Sequence, residues 1–243
     1  MTDAELAASI AGEAGELLRS LQSCGLTGAA LGDRGDAEAN ALILARLRAE
    51  RPEDFILSEE SVDDLARCQA SRVWIVDPLD GTREYAQGWD DWAVHIGLSV
   101  DGAPVVGAVA LPARGIVLTS DPPPAPAATR LPPRIVVSRT RPPAEATALA
   151  AALGGELLPM GSAGAKAMAV VLGEAEIYFH SGGQYAWDNC APAAVALAAG
   201  LHVSRIDGSA LVYNCVETWL PDLLICAHPL SAEVLTLVRE GPR

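Results

Sequence analysis

Two aspartates, Asp77 and Asp80, follow the apolar run VWIV at residues 73–76, with Pro78 and Leu79 between them and Gly81-Thr82 behind. Glu59 and Glu60 of FILSEES also follow an apolar run, and Asp188 of YAWDNCAPAAV opens a small-residue apolar segment. Carboxylates in such places are costly to desolvate, and several together repel one another and take up protons. A divalent cation removes both penalties. Singly, each acid has a plainer reading: Asp188 as a helix N-cap, Glu59 and Glu60 as a solvated loop, Asp77 as a turn residue before proline. Jointly they point to a metal site. Every candidate ligand is oxygen, with no His or Cys beside it, which favours Mg2+ over zinc. The offset across Pro78 lets both aspartates face one point, toward which the Leu79 carbonyl can also turn. A helix starting at Gly81-Thr82 would offer free N–H groups and its positive dipole end to an anion. Glycine lets a phosphate approach the backbone, and the Thr82 hydroxyl could orient a water or cap the helix. Cations beside a helix N-terminus suit phosphate chemistry.

The elements that must position these residues alternate in type. Helices are expected over 1–24, with Leu6, Ile10, Leu17 and Leu18 roughly on one side, and over 36–50. Short buried strands are expected at 54–57 and 73–76, then an antiparallel meander at 91–100, 103–112 and 115–120. Six of the fourteen residues 121–134 are proline, which excludes a sheet or helix interior and marks a connector between two halves, 1–120 and 135–243. The second half reads as a strand (134–140), helices near 143–153 and 163–173, a strand (175–180), a helix (189–200), strands at 209–213 and 222–229, and a closing helix. There is no internal repeat, and the alternation predicts a layered α/β fold.

Composition narrows the function. The chain has 243 residues, half of them apolar, enough for one large domain or two fused halves. No apolar run reaches the ~20 residues of a membrane span, and the first residues carry acids where a signal peptide needs positive charge. A net charge of −14 argues against a nucleic-acid groove or an anionic membrane surface. Its plain reading is solubility; its sharper one is that some of the acid binds metal. Five cysteines, an odd number without C-x-x-C, fit reduced, mostly buried thiols in a cytoplasmic protein. His95, His180, His202 and His228 do not cluster and read as structural. Trp74, Trp89, Trp92 and Trp219 read as core or turn anchors and Trp187 as packing beneath the site, with no aromatic ladder for single-stranded nucleic acid.

DPLDGT, with SEES upstream and WDNCA downstream, resembles in order the three metal signatures of the Mg2+-dependent, lithium-sensitive phosphatases related to inositol monophosphatase, over roughly residues 30–230. The resemblance implies a layered αβαβα sandwich binding two or three Mg2+. Glu59, Asp77 and the Leu79 carbonyl would hold the first; Asp80 and Asp188 would join Asp77 around the second; a third, weaker one would lean on Glu59. The nucleophile would be a water made acidic by the cations and placed by Thr82. The acid partnering Thr82 would be Asp36, although GDRG stands where the family has a threonine-rich approach. Attack would be in line, without a phosphoenzyme.

The family's inositol-contacting glutamate, seven residues before the last metal aspartate, is Ser181 here, which argues against inositol phosphate. DPLDGTREY and GSAGAKAM resemble instead the CysQ-type branch acting on 3′-phosphoadenosine 5′-phosphate, and DDWAVHIGLS, GSAGAKAMAV and PDLL its actinobacterial members. That implies a substrate surface of Asp80, Gly81, Thr82, Arg83, Gly161, Ser162 and Lys166, with Lys166 on the uncleaved 5′-phosphate. The Gly161–Lys166 spacing is one residue longer than the simplest form of the motif. Lys166 otherwise reads as a solvated helix lysine and Arg83 as a surface partner of Glu84. The implied role is removal of the 3′-phosphate, including that of the sulfated precursor, in sulfur assimilation; inositol monophosphatase and fructose-1,6-bisphosphatase are the alternatives within the family. A D-x-D-G-T phosphatase would need one residue between the aspartates, not two, and a non-catalytic nucleotide-binding regulator has no feature in its favour. The expected partner is a small phosphate ester, not a nucleic-acid polymer or a membrane; a homodimer is allowed.

Overall fold

A computed structural model describes residues 1–240; the end of the expected second half, 241–243, lies outside the described residues. Helices α1 (Asp3–Gln22) and α2 (Ala29–Glu50) precede a five-stranded sheet of β1 (Phe55–Ser58), β2 (Arg72–Asp80), β3 (Ala93–Val100), β4 (Ala103–Leu111) and β5 (Ile116–Thr119), paired in chain order. The short helix α3 (Thr82–Ala86) lies between β2 and β3. The second sheet has the order β7-β6-β8-β10-β9, from β6 (Arg134–Ser138), β7 (Glu156–Met160), β8 (Ile177–Tyr185), β9 (His202–Ser204) and β10 (Trp219–Cys226). Helices α4 (Ala144–Leu153), α5 (Ala163–Val171), α6 (Ala186–Ala198) and α7 (Ser231–Glu240) complete the chain.

Strand periodicity sets the layers. On β2, Trp74 and Val76 bury against α1 and α2, while Val73 and Ile75 bury on the opposite face with α5 and α6. On the second sheet, Val136, Tyr178, Leu223 and Ile225 face α5 and α6, and Ile135, Val137, Ile177, Phe179 and Leu224 face α4 and α7. The order is therefore helix, sheet, helix, sheet, helix: the expected αβαβα sandwich. Sheets covered on both faces read as continuous apolar runs, which is why VWIV and DLLIC carry no polar alternation. The central helices sit close to the first sheet because Gly97 and Gly107 lack side chains. A Cβ would come within 2.9 Å of the Ala191 nitrogen at Gly97 and within 2.4 Å of the Ala191 oxygen at Gly107.

Several expectations change. Helix α2 begins at Ala29, not residue 36, because Gly32 and Gly35 are packing positions: their Cα atoms face Thr82, and Leu18, Leu79 and Tyr85. Residues 209–213 form no strand. Leu211 and Tyr213 are buried, but the Tyr213 amide donates to Gly102 of the β3–β4 turn, so the segment leaves the second sheet, and β9 takes its place beside β10. The edge strands β7 and β9 were not anticipated; β7 contains Pro159, which an edge tolerates. The thiols are not mostly buried, since Cys24 and Cys215 are exposed and Cys68 half-buried. All five are free. The connector has no helix or strand between Ser120 and Pro133. No helix among the described residues is long and apolar enough to cross a membrane.

Candidate active site

Strand β2 continues past Val76, so Asp77 and Asp80 stand within it. Its pairing with β3 is interrupted between them, where two residues fit no ladder position. That irregularity replaces strict alternation and brings both carboxylates to one side of the strand end. Asp188 reaches them from the first turn of α6. One oxygen each of Asp77, Asp80 and Asp188 lies within 4.8 Å of the others. Asp188 is not the N-cap of α6; it lies in the helix, and its carboxylate accepts from the Tyr185 amide at 2.6 Å. Glu59 stands at the exposed rim, placed by its own amide donating to the Val76 carbonyl at 3.3 Å, with its carboxylate beside that of Asp77.

The acids differ sharply in charge environment. Burial first, then Glu59, Asp80 and Asp188, pushes Asp77 well above the usual carboxylate range. Burial and Asp188 raise Glu59 to about 7, and burial and Asp80 raise Asp188 to about 6. Asp80 is the exception. Burial would raise it too, but His95, Ser162 and Lys166 outweigh that and hold it below its ordinary value. Its oxygens accept from the Ser162 hydroxyl, from Ala163 N at 3.0 Å and from Gly164 N at 2.6 Å, so Asp80 occupies the N-terminus of α5. His95, fully buried, brings Nε2 to 3.3 Å from Asp80 and binds the Trp187 carbonyl through Nδ1 at 3.0 Å. An all-oxygen set whose members raise one another's proton affinity fits a hard divalent cation; the residues present suit Mg2+ chemically.

Beside this set, the Thr82 hydroxyl donates to the Leu79 carbonyl at 3.1 Å, and Asp36 of α2 stands near enough for that hydroxyl to favour its charged form. Thr82 is the first residue of α3 and makes no side-chain cap. Burial first, then Glu60, raises Asp36 to about 7. Asn40 of α2 staples the glutamate loop to the same helix, accepting from Ser58 and donating to Ser61.

A cleft of ≈ 290 Å³ opens next to Asp80 and Asp188. Arg83, Arg139, Arg141 and Lys166 line it, a local excess of positive charge in a chain of net −14. Lys166 is no solvated lysine: it is 5 % exposed, and Nζ donates to the Gly161 and Ser162 carbonyls at 2.9 and 2.5 Å. Burial lowers it to about 8, against the pull of Asp80 and Glu84. Arg83 is exposed and lines the cleft; Glu84 is buried and faces Arg139 instead. Ser162 caps α5 by accepting from Ala165 N at 2.9 Å. Gly161 is buried against Glu84, and its amide donates to Asp91 at 2.6 Å. Gly81, at φ 90°, takes the left-handed turn from β2 into α3 that a side chain resists. Trp187 stacks on exposed Tyr185, and Trp74 and Trp92 are core residues, whereas Trp89 and Trp219 are partly exposed.

Sequence reasoning missed His95, Arg139, Arg141, Asn40 and Gln184. Isolated residues carry no spacing signal; only the fold brings them to the acids or the cleft.

The inositol monophosphatase family model matches residues 5–240. The chain belongs to the inositol monophosphatase family. Within that family it is 51% identical to the 3′-phosphoadenosine 5′-phosphate phosphatase of Mycobacterium leprae (strain TN), covering 99% of this chain and 94% of the relative. The solved CysQ of Bacteroides thetaiotaomicron, described as a bacterial inositol monophosphatase family member, superposes with a TM-score of 0.78 at 25% identity, covering 93% of this chain and 97% of that one. Inositol monophosphatase-II of Staphylococcus aureus MSSA476 gives 0.80 at 20% identity over 95% and 93% of the two chains, a likeness of fold.

Proposed function

We propose that this protein is a metal-dependent phosphatase that removes the 3′-phosphate of 3′-phosphoadenosine 5′-phosphate. The observation that carries the reading is the convergence of Asp77, Asp80 and Asp188 at the mouth of a cleft lined by basic side chains. The half-identical relative carries the same activity in its name.

Glu59, Asp77, the Leu79 carbonyl, Asp80 and Asp188 would hold two or three Mg2+. Bound there, the cations supply charge to phosphoryl oxygens and lower the pKa of water. The Thr82 hydroxyl accepts a hydrogen bond from the attacking water, and Asp36, raised to about 7, is matched to hold a proton near neutral pH. Asp80 remains ionised because α5 and His95 stabilise its charge. Its tie to Ser162 sets the metal site and the substrate arm Gly161–Lys166 in one register. Lys166 and Arg83 face the phosphate that is not cleaved. Ser181 has no carboxylate to offer an inositol ring, and its hydroxyl donates to Glu145 at 3.2 Å.

The test compares phosphate release from 3′-phosphoadenosine 5′-phosphate, fructose 1,6-bisphosphate and inositol 1-phosphate, with Mg2+, with chelator and with added lithium. The nucleotide should turn over fastest, only with the metal, and lithium should inhibit. Turnover undiminished by chelator, or faster on the inositol ester, would end this reading.

A further inference from the structure

Beneath the cleft a file of polar side chains runs through the core. The Tyr213 hydroxyl donates to Asn189 Oδ1 at 2.8 Å, Asn189 Nδ2 to Gln184 Oε1 at 3.2 Å, and Gln184 Nε2 to the Tyr178 hydroxyl at 2.7 Å. Asn189 and Tyr178 are wholly buried, Tyr213 and Gln184 nearly so. Asn189 adjoins Asp188 in the chain, and the Tyr178 ring lies 5.5 Å from Lys166 Nζ. A buried amide is stable only when its donors and acceptors are matched, and each link here is matched.

Because the Tyr213 and Tyr178 hydroxyls at its ends can each donate or accept, the file is satisfied in either sense, and in both it leaves Gln184 one amide hydrogen without a partner. With Tyr213 donating, the Gln184 carbonyl is taken by Asn189 and one amide hydrogen by Tyr178. The second hydrogen has no acceptor among the described residues, and Gln184 is one of the residues that line the cleft. The backbone is fixed. Gly183, at φ 87°, lies against Trp219, where an added Cβ would come within 2.3 Å of the indole nitrogen. A side chain at 183 would lift the strand that aims Gln184.

We propose that Gln184 determines specificity by donating a hydrogen bond to an oxygen on the alcohol portion of the ester, outside the phosphate being cleaved. An amide hydrogen left without a partner at the cleft is satisfied by an oxygen acceptor of the ester and left unpaired by an apolar group. Tyr213 does not line the cleft; it is a positioning residue that, through Asn189, holds the Gln184 amide in place. The inference rests on the nucleotidase reading, because it requires an ester whose alcohol portion reaches into the cleft.

The test measures kcat and KM on 3′-phosphoadenosine 5′-phosphate and on phenyl phosphate, whose alcohol portion has no oxygen outside the phosphate, together with thermal melting. In Gln184→Leu the ratio of kcat/KM between nucleotide and small ester should fall about tenfold or more, through the nucleotide KM, as for a lost hydrogen bond to a charged or strongly polar acceptor. In Gln184→Glu, which cannot donate when ionised, it should fall further. Tyr213→Phe should shift the ratio the same way by less, again through KM. Equal losses on both substrates in Gln184→Leu, or a wild-type nucleotide KM in Gln184→Glu, would overturn the assignment. A Tyr213→Phe protein that melts lower with an unchanged ratio would overturn the positioning role. Wild-type protein without preference for the nucleotide would overturn the nucleotidase reading and this inference with it; a wild-type preference retained by Gln184→Leu would overturn the inference alone.

Discussion

Asp80 serves two partners at once, which sets it apart from the other acids. It contributes to the oxygen cluster and also satisfies the first amides of α5, so its charge is held where Asp77, which accepts from the Leu79 amide alone, is pushed up. Asp80→Asn would keep one acceptor for the helix but lose the ionised ligand. Phosphate release should drop by about a thousandfold, equivalent to several kcal/mol of transition-state charge stabilisation, with circular dichroism unchanged. Near-normal turnover in this variant would contradict the ligand assignment. Lys166→Met tests the substrate arm. A charge-assisted hydrogen bond contributes about 1.5–3 kcal/mol, so the nucleotide KM should rise roughly tenfold or more while the inositol phosphate KM moves little. Equal rises on both esters would remove Lys166 from nucleotide recognition.

Between elements, close approaches at glycine do most of the positioning. Gly32 of α2 faces the Thr82 methyl, and a Cβ there would sit 2.8 Å from it. Ala is the better helix former by about 1 kcal/mol, so Gly32→Ala should leave the melting temperature nearly unchanged. It should nevertheless push α2 off α3, move Asp36 away from Thr82 and reduce kcat about tenfold, with KM little changed. A variant with wild-type kcat would show that this approach does not matter for turnover. The same close packing explains why α2 begins seven residues before the sequence-based expectation. Glycines at helical spacing read as a loop unless the surface they press against is known.

For the molecule as a whole, the clustered acids couple stability to metal and pH. Asp77 well above its usual range, Glu59 and Asp36 at about 7 and Asp188 at about 6 all bind protons in the folded state at pH values where the unfolded chain has released them. The metal-free protein should therefore lose stability as pH rises from about 4, the unfolded carboxylate value, through 7. Scanning calorimetry in chelator should give a lower melting temperature at pH 8 than at pH 5.5, and Mg2+ should raise it more at pH 8. Asp77→Asn should flatten that dependence, which separates the cluster from the general repulsion of a −14 chain. Glu176 acts oppositely. Burial would raise it, but Arg134, bonded through its guanidinium and its amide, holds it below its usual range. Its contribution is present above the unfolded carboxylate value and is lost only as pH falls below about 4.

Taken by itself, the sequence determined the elements whose signal is local: α1 from its apolar spacing, the β3–β5 meander from apolar runs and turn residues, α5 and α6 from runs closed by glycine. It also singled out the acids that come together, because buried acids beside strand ends are costly unless something neutralises them, and their order along the chain resembles one family. Tertiary structure alone decided that residues 209–213 leave the second sheet, that Lys166 is buried over Tyr178, and that Glu84 pairs with Arg139 rather than Arg83. It alone placed His95 behind Asp80 and Gln184 in the cleft. The physical reason is distance along the chain: periodicity and capping act over a few residues, whereas desolvation, charge pairing and close packing depend on which remote segments meet.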